Sequence, residues 1–216
     1  ILFIWFYFNL ETSQIMKNIL CFGDSNTFGF NPENGSRYDK NTRWTGILQC
    51  LCKDNFHIIE AGCNNRTAFS DNPAGKMFTG YKILPELLND NLAYVILSIG
   101  VNDLQFQYKV SIDDIKNGIS NLVKVIKNTI KNAKIILVSQ EITENVLKSP
   151  IFSALFDKST IEKSKHLSKI YKQIALENNC DFIDLKTIAR TSTIDGLHFE
   201  PQEQKEIANE IFKHLN

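Results

Sequence analysis

Alternation is the strongest constraint this chain places on its own fold. Five short runs dense in Ile, Leu, Val and Phe, at about 18–22, 56–60, 93–98, 134–139 and 181–184, are separated by longer segments, several with helical apolar spacing. The clearest such segment carries Ile112, Ile115, Ile119, Leu122, Ile126 and Ile130, with Ser111 and Asp114 as its capping start. A long patterned stretch, roughly 151–178, predicts another helix ahead of the fifth run. A last helix is expected from Pro201, burying Ile207, Ala208, Ile211 and Leu215. Strands joined through helices pair in parallel, and right-handed crossovers then cover both faces of the sheet. An α/β domain with a five-stranded parallel sheet is therefore expected. No repeat, low-complexity tract or linker divides the 216 residues, a length that suits one domain with a sizeable core.

In an open parallel sheet, residues just past the carboxyl ends of the strands converge on one rim, where ligands bind. The chemistry-bearing segments of this chain fall there. Gly23-Asp24-Ser25-Asn26 follows the first run, Ala61-Gly62-Cys63-Asn64 the second and Gly100-Val101-Asn102-Asp103 the third. Asp195-Gly196-Leu197-His198 stands just ahead of the last helix. A serine hydroxyl is a poor nucleophile at neutral pH and needs a base, which in turn needs a group to hold its tautomer. His198 and Asp195, three positions apart, can leave one turn on the same side and meet a serine from elsewhere. The Gly62 and Asn102 segments can supply donors for a developing oxyanion. Taken singly, each residue has an ordinary explanation: Asp and Ser form turns, Asn102 and Asp103 cap helices, Gly62 turns the chain. Their joint occurrence beside strand ends and a helix start points to a nucleophilic hydrolase.

Together these segments resemble the four blocks of the SGNH hydrolases, also called the GDSL esterase/lipase family, in the family's order from about Lys17 onward. Residues 19–30 and the pair Arg43-Trp44 look most like the small arylesterase and acetylesterase branch. The resemblance implies a flavodoxin-like three-layer α/β/α sandwich with strand order 2-1-3-4-5. It implies Ser25 as nucleophile, His198 as base and Asp195 as its orienting partner. The oxyanion donors it implies are the backbone amides of Ser25 and Gly62 and the side-chain amide of Asn102. No metal or organic cofactor is implied. Asn26 stands where the family name has Leu, and Cys63-Asn64-Asn65 replaces the usual small-residue run, which bears on the acyl pocket. Phe28, Phe30, Trp44, Phe69, Phe106, Phe152 and Phe156 lie near segments that could frame the rim, although core packing explains any one of them equally well. The activity implied is hydrolysis of short-chain acyl esters, acetyl or aryl, through an acyl-enzyme. A carbohydrate O-acetylesterase, a thioesterase or a lysophospholipase is the alternative within the family; a flavodoxin-like ligand-binding protein is the alternative outside enzymes.

Composition narrows the partners. With 24 basic and 24 acidic side chains the net charge is +0, so there is no field to attract nucleic acid or an anionic membrane. The five cysteines are odd in number and scattered, which fits a reducing compartment rather than a disulfide framework. Cys50 and Cys52 point to different helix faces and are no zinc pair, and Cys63 reads as a small pocket residue. The histidines show no metal spacing, and neither a nucleotide-binding glycine motif nor a Gly-x-Ser-x-Gly elbow is present. Asp24 and Asp103 do not read as a glycosidase pair. Arg43 and Arg66 are expected in structural ion pairs. The apolar octet Ile1 to Phe8 is far shorter than the ~20 residues of a membrane span and lacks a basic start, so no membrane insertion is expected. Residues 1–15 are read as an extension outside a single domain at 16–216, with a natural start at Met16 and a cytoplasmic location. Oligomeric state is left open; some members of the family form dimers or rings, so a homo-oligomer is compatible.

Overall fold

Ile19 and Cys21 face one side of the first strand and Leu20 and Phe22 the other, and all four are wholly buried. A strand apolar on both faces has to lie inside a sheet covered twice. The computed structural model describes residues 16–215, so the expected extension at 1–15 lies outside the described residues. It contains β1 (Lys17–Gly23), β2 (Phe56–Gly62), β3 (Leu92–Ser98), β4 (Lys134–Ser139) and β5 (Asp181–Asp184). All pair in parallel, in the order β2-β1-β3-β4-β5. The strand order implied by the resemblance is the one observed.

Among the described residues seven α-helices accompany the sheet: α1 (Ser25–Phe28), α2 (Trp44–Cys52), α3 (Gly80–Leu87), α4 (Ile112–Thr129), α5 (Lys158–Ser164), α6 (Leu167–Asn178) and α7 (Pro201–Lys213). On one face α3, α4 and α6 pack on Leu20, Phe22, Val95, Leu97 and Leu137. On the other, α2 and α7 pack on Ile19, Cys21, Ile96, Val138 and Ile183. The start of α4 is a capping box: Ser111 Oγ accepts from Asp114 N at 3.1 Å, and Asp114 Oδ2 accepts from Ser111 N at 2.8 Å. Its apolar stripe buries Ile115, Ile119, Leu122 and Ile126, while Ile112 stays exposed. In α7, Ile207, Ala208 and Ile211 are buried as expected, and Leu215 packs beyond the helix end.

The stretch expected as one helix over 151–178 is instead broken. A short 3-10 turn at Phe152–Ala154 precedes α5, and α6 starts only at Leu167. The first interruption follows from Asp157, which caps α5 by accepting from Thr160 N at 2.9 Å while its own N–H donates back to Thr160 Oγ1 at 3.4 Å. Apolar spacing continues through the break, so periodicity alone does not reveal it. The released segment brings Phe152 to the rim of the sheet.

Ile96 lies in the central part of the sheet on β3 and is wholly buried. Ile96→Ala is expected to cost about 2–5 kcal/mol, as for other large-to-small core changes, read as a lower denaturant midpoint at unchanged slope.

Candidate active site

The nucleophile candidate owes its position to a tight turn out of β1. A Cβ on Gly23 would meet Thr27 Oγ1 at 2.0 Å and the Ser98 carbonyl at 2.3 Å, so only glycine lets the chain pass there. Asp24 then caps α1 by accepting from Asn26 N at 3.0 Å, which makes Ser25 the first helical residue. As such, its N–H has no partner inside the helix. Asn26 ties this helix to the distant end of the chain: its Nδ2 donates to Gln140 Oε1 at 2.8 Å and to Leu197 O at 3.2 Å. Gln140 Nε2 donates to the same Leu197 carbonyl at 3.1 Å. Trp44 is buried core rather than rim, and its Nε1 holds Asn26 O at 3.0 Å.

Asp195 and His198 share a turn opened by Gly196, which sits at φ +67°. Asp195 Oδ1 accepts the amides of Leu197 at 2.9 Å and His198 at 3.0 Å, leaving Oδ2 to meet His198 Nδ1 at 2.6 Å. Burial pushes the Asp195 carboxyl up, but the bonds from His198 and the two amides outweigh it and hold it below its ordinary value. An ionised Asp195 makes Nδ1 the donor, so in the neutral ring Nε2 is an acceptor. That nitrogen lies 2.8 Å from Ser25 Oγ, across 173 positions of sequence. The imidazole is packed against Phe30, ring centroids 4.2 Å apart, and Phe152, 5.2 Å apart.

Ser25, His198 and Asn102 line a cavity of about 110 Å³ with Phe30, Phe152, Leu155, Leu197, Asn64 and Asn65. Gly62 is not at this cavity. A Cβ there would meet Phe28 N at 2.1 Å and Thr27 C at 2.4 Å, so the glycine serves the close approach of β2 to α1. Cys63 N donates to Gly23 O at 3.2 Å, and because successive strand amides point opposite ways, the Gly62 amide points off the free sheet edge. Asn65, three residues on and left-handed at φ +60°, reaches the cavity instead. Its N–H has no hydrogen-bond partner among the described residues. Asn102 Nδ2 donates to Arg66 O at 3.1 Å and keeps a second hydrogen free.

The family model for GDSL-like lipases and acylhydrolases matches residues 21–205. The chain belongs to that family. It is a carboxylic ester hydrolase by that membership. Among solved structures, an aryl esterase from M. smegmatis is 28% identical with a TM-score of 0.84, the match covering 92% of this chain and 98% of that one. A carbohydrate acetylesterase from Sinorhizobium meliloti is 29% identical, also at 0.84, over 92% and 98%. A lipase/acylhydrolase from Enterococcus faecalis, at 19% identity and 0.67 over 93% and 98%, shares the fold. No curated protein sequence matches the chain. Among the described residues no helix is long and apolar enough to cross a membrane.

In this acylhydrolase the remaining acidic and basic residues of the rim hold loops. Asp103 accepts the amides of Ala68 at 2.5 Å, Phe69 at 3.0 Å and Ser70 at 2.7 Å, fastening the loop after β2 to the loop after β3. Arg43 pairs with Glu60 through two bonds, at 2.7 and 2.8 Å, as the sequence suggests. Arg66 differs: its bonds go to the carbonyls of Gly23, Ala61 and Met77 rather than to a carboxylate. Of the aromatic candidates, Phe30 and Phe152 reach the cavity, Phe156 is core and Phe106 is half exposed. Phe69 packs against α4, and Phe28 lies under the Arg37 guanidinium. Sequence reasoning names Asn65 only within the run Cys63-Asn64-Asn65 and misses Gln105 and Gln140, whose amides lie within this network; only their nearness to strand ends marks them beforehand.

Burial pushes the Asp24 carboxyl up to about 7, against the opposing pull of the Asn26 amide and Arg66. Between ~4 and about 7 the folded chain then keeps a proton that the unfolded chain has lost, so stability falls as pH rises through that window. Asp24→Asn keeps the cap and removes the titration. The variant is expected to gain on the wild type as pH rises from about 4 to about 8, read from paired denaturation midpoints; a constant gap would show that Asp24 carries no such proton.

Proposed function

We propose that Ser25, His198 and Asp195 hydrolyse short-chain acyl esters, acetyl or aryl, through a covalent acyl-enzyme. The observation that carries this reading is the pair of hydrogen bonds on one buried imidazole, 2.8 Å to Ser25 Oγ and 2.6 Å to Asp195 Oδ2. His198 Nε2 takes the Ser25 proton as Oγ attacks the ester carbonyl, while Asp195 stabilises the imidazolium. The tetrahedral oxyanion is held by the N–H of Ser25, the N–H of Asn65 and the free Nδ2 hydrogen of Asn102. Asn65 takes the role that the family resemblance assigns to Gly62. Collapse breaks the bond to the alcohol, which leaves with the proton from His198. Water then attacks the acyl carbon, gives its proton to His198, and the acid departs as Ser25 is reprotonated.

A cavity of about 110 Å³ walled by Phe30, Phe152, Leu155 and Leu197 supports a short acyl group, being well under the roughly 300–1,000 Å³ of sites that take larger ligands. A sugar acetate is the second reading, favoured by the amides of Asn64 and Asn65 on the cavity wall and by the likeness to carbohydrate acetylesterases. Five unpaired thiols support a reducing compartment, hence the cytoplasm.

The test is a panel of p-nitrophenyl esters from acetyl to palmitoyl, with acetylated sugars and an acyl-CoA, on wild type and Ser25→Ala. kcat/KM should be highest for acetyl and fall with chain length, and Ser25→Ala should lose about 10⁴-fold or more together with fluorophosphonate labelling. Preference for long chains would overturn the small-pocket reading. Turnover surviving in Ser25→Ala would remove Ser25 as nucleophile. Asn102→Ala should lower kcat on the order of 10²-fold at similar KM, as for other oxyanion side chains.

A further inference from the structure

We propose that Gln105 is a positioning residue for acyl transfer, its side-chain amide fixing the orientation of the Asn102 donor and anchoring Asn65. The inference rests on the esterase reading above. Gln105 follows the 3-10 turn Asn102–Leu104 and is 1% exposed. Its Nε2 donates to Asn65 Oδ1 at 2.8 Å and to Asn102 Oδ1 at 3.1 Å, so both amide hydrogens are spent on the two loops that supply oxyanion donors. Its Oε1 accepts from Gln107 Nε2 at 3.0 Å. The residue does not line the cavity and touches no reacting atom.

What this arrangement controls is a flip. A carboxamide can turn by half a revolution and exchange its oxygen and nitrogen at little steric cost, and only one orientation of Asn102 presents N–H to the cavity. In that orientation Oδ1 receives Gln105 and one Nδ2 hydrogen goes to the Arg66 carbonyl at 3.1 Å, leaving the second for the substrate. Turned over, Asn102 would set its nitrogen against the Gln105 donor and its oxygen against the Arg66 carbonyl. Both contacts become repulsive, so Gln105 and the Arg66 carbonyl together exclude the unproductive state. Gln105 cannot itself turn without aiming Oε1 at two carboxamide oxygens. The same side-chain amide anchors Asn65, whose left-handed backbone at φ +60° is one that asparagine readily adopts.

Reversing the polarity at constant size tests this. Gln105→Glu presents acceptors where donors stood and turns the Asn102 amide toward itself; Gln105→Met keeps the length but neither attracts nor repels Nδ2. With p-nitrophenyl acetate at about pH 8, Gln105→Glu is expected to lower kcat about 10- to 100-fold at nearly unchanged KM, and Gln105→Met to lose less. Both are repeated in an Asn102→Ala background, where the loss from Gln105→Glu should shrink at least about 5-fold, because the donor it misplaces is already gone. Equal losses in the two backgrounds, a larger loss for Met than for Glu, or unchanged kcat in Gln105→Glu would each overturn the proposal. A fully active Asn102→Ala single variant would instead bring down the oxyanion reading on which it stands. If Gln105→Glu does not fold, the Met variant in both backgrounds carries the same comparison.

Discussion

A single imidazole joins the two ends of this chain. His198 meets Ser25 from the first strand end and Asp195 from its own turn, and Phe30 and Phe152 close around its ring. Removing water from such a group is costly unless both ring nitrogens are bonded, and here each has one partner. Asp195 is also complete, with two amides on one oxygen and the imidazole on the other. The ring is thus held in one tautomer and one direction before any substrate arrives. Every other feature of the rim can be understood as keeping Ser25 at the end of that ring.

The parallel sheet does part of this work, since β1, β3 and β4 release their loops at the same edge. It does not do all of it, because loops outside a sheet have no ladder to hold their registers. Side chains replace the ladder: Asn26 and Gln140 clasp the Leu197 carbonyl, Trp44 holds Asn26, Arg66 gathers carbonyls of both flanking strands, and Asp103 collects three amides. Each bond satisfies a buried polar group that would otherwise oppose folding, so site geometry and stability are maintained by the same contacts.

How much of this could be read beforehand divides along a physical line. Strand runs, the α4 stripe and its Ser111 cap are local patterns, and they stand where the spacing puts them. Ser25, Asp195 and His198 are recognisable because a strand end and a helix start bracket them. The loop after β2 is different, since a strand end does not say how many residues pass before the chain turns inward. The resemblance points to Gly62, a glycine whose missing Cβ makes room for α1, whereas the left-handed residue that lines the cavity is Asn65. Phe152 stands in the sequence as one of several aromatics near the rim, but the break that frees it is hidden: helical spacing runs on through 151–178, and the Asp157 cap that starts α5 is a single residue.

Carboxamides work beside the charged Asp103 and Arg66 in fastening the loops around the proposed oxyanion donors, and the two kinds of group carry different costs. A buried carboxylate or ammonium must recover several kcal/mol of lost hydration, whereas a carboxamide is neutral and carries donor and acceptor together. Asn26, Asn65, Asn102, Gln105 and Gln140 can therefore be linked in short chains inside the protein with no field of their own to compete with the substrate. The cost is directionality, because an amide placed backwards is worse than none. A network of this kind works only if each member forbids its neighbour from turning, which is why the bonds to Asn102 from Gln105 and to the Arg66 carbonyl have to be read as a pair.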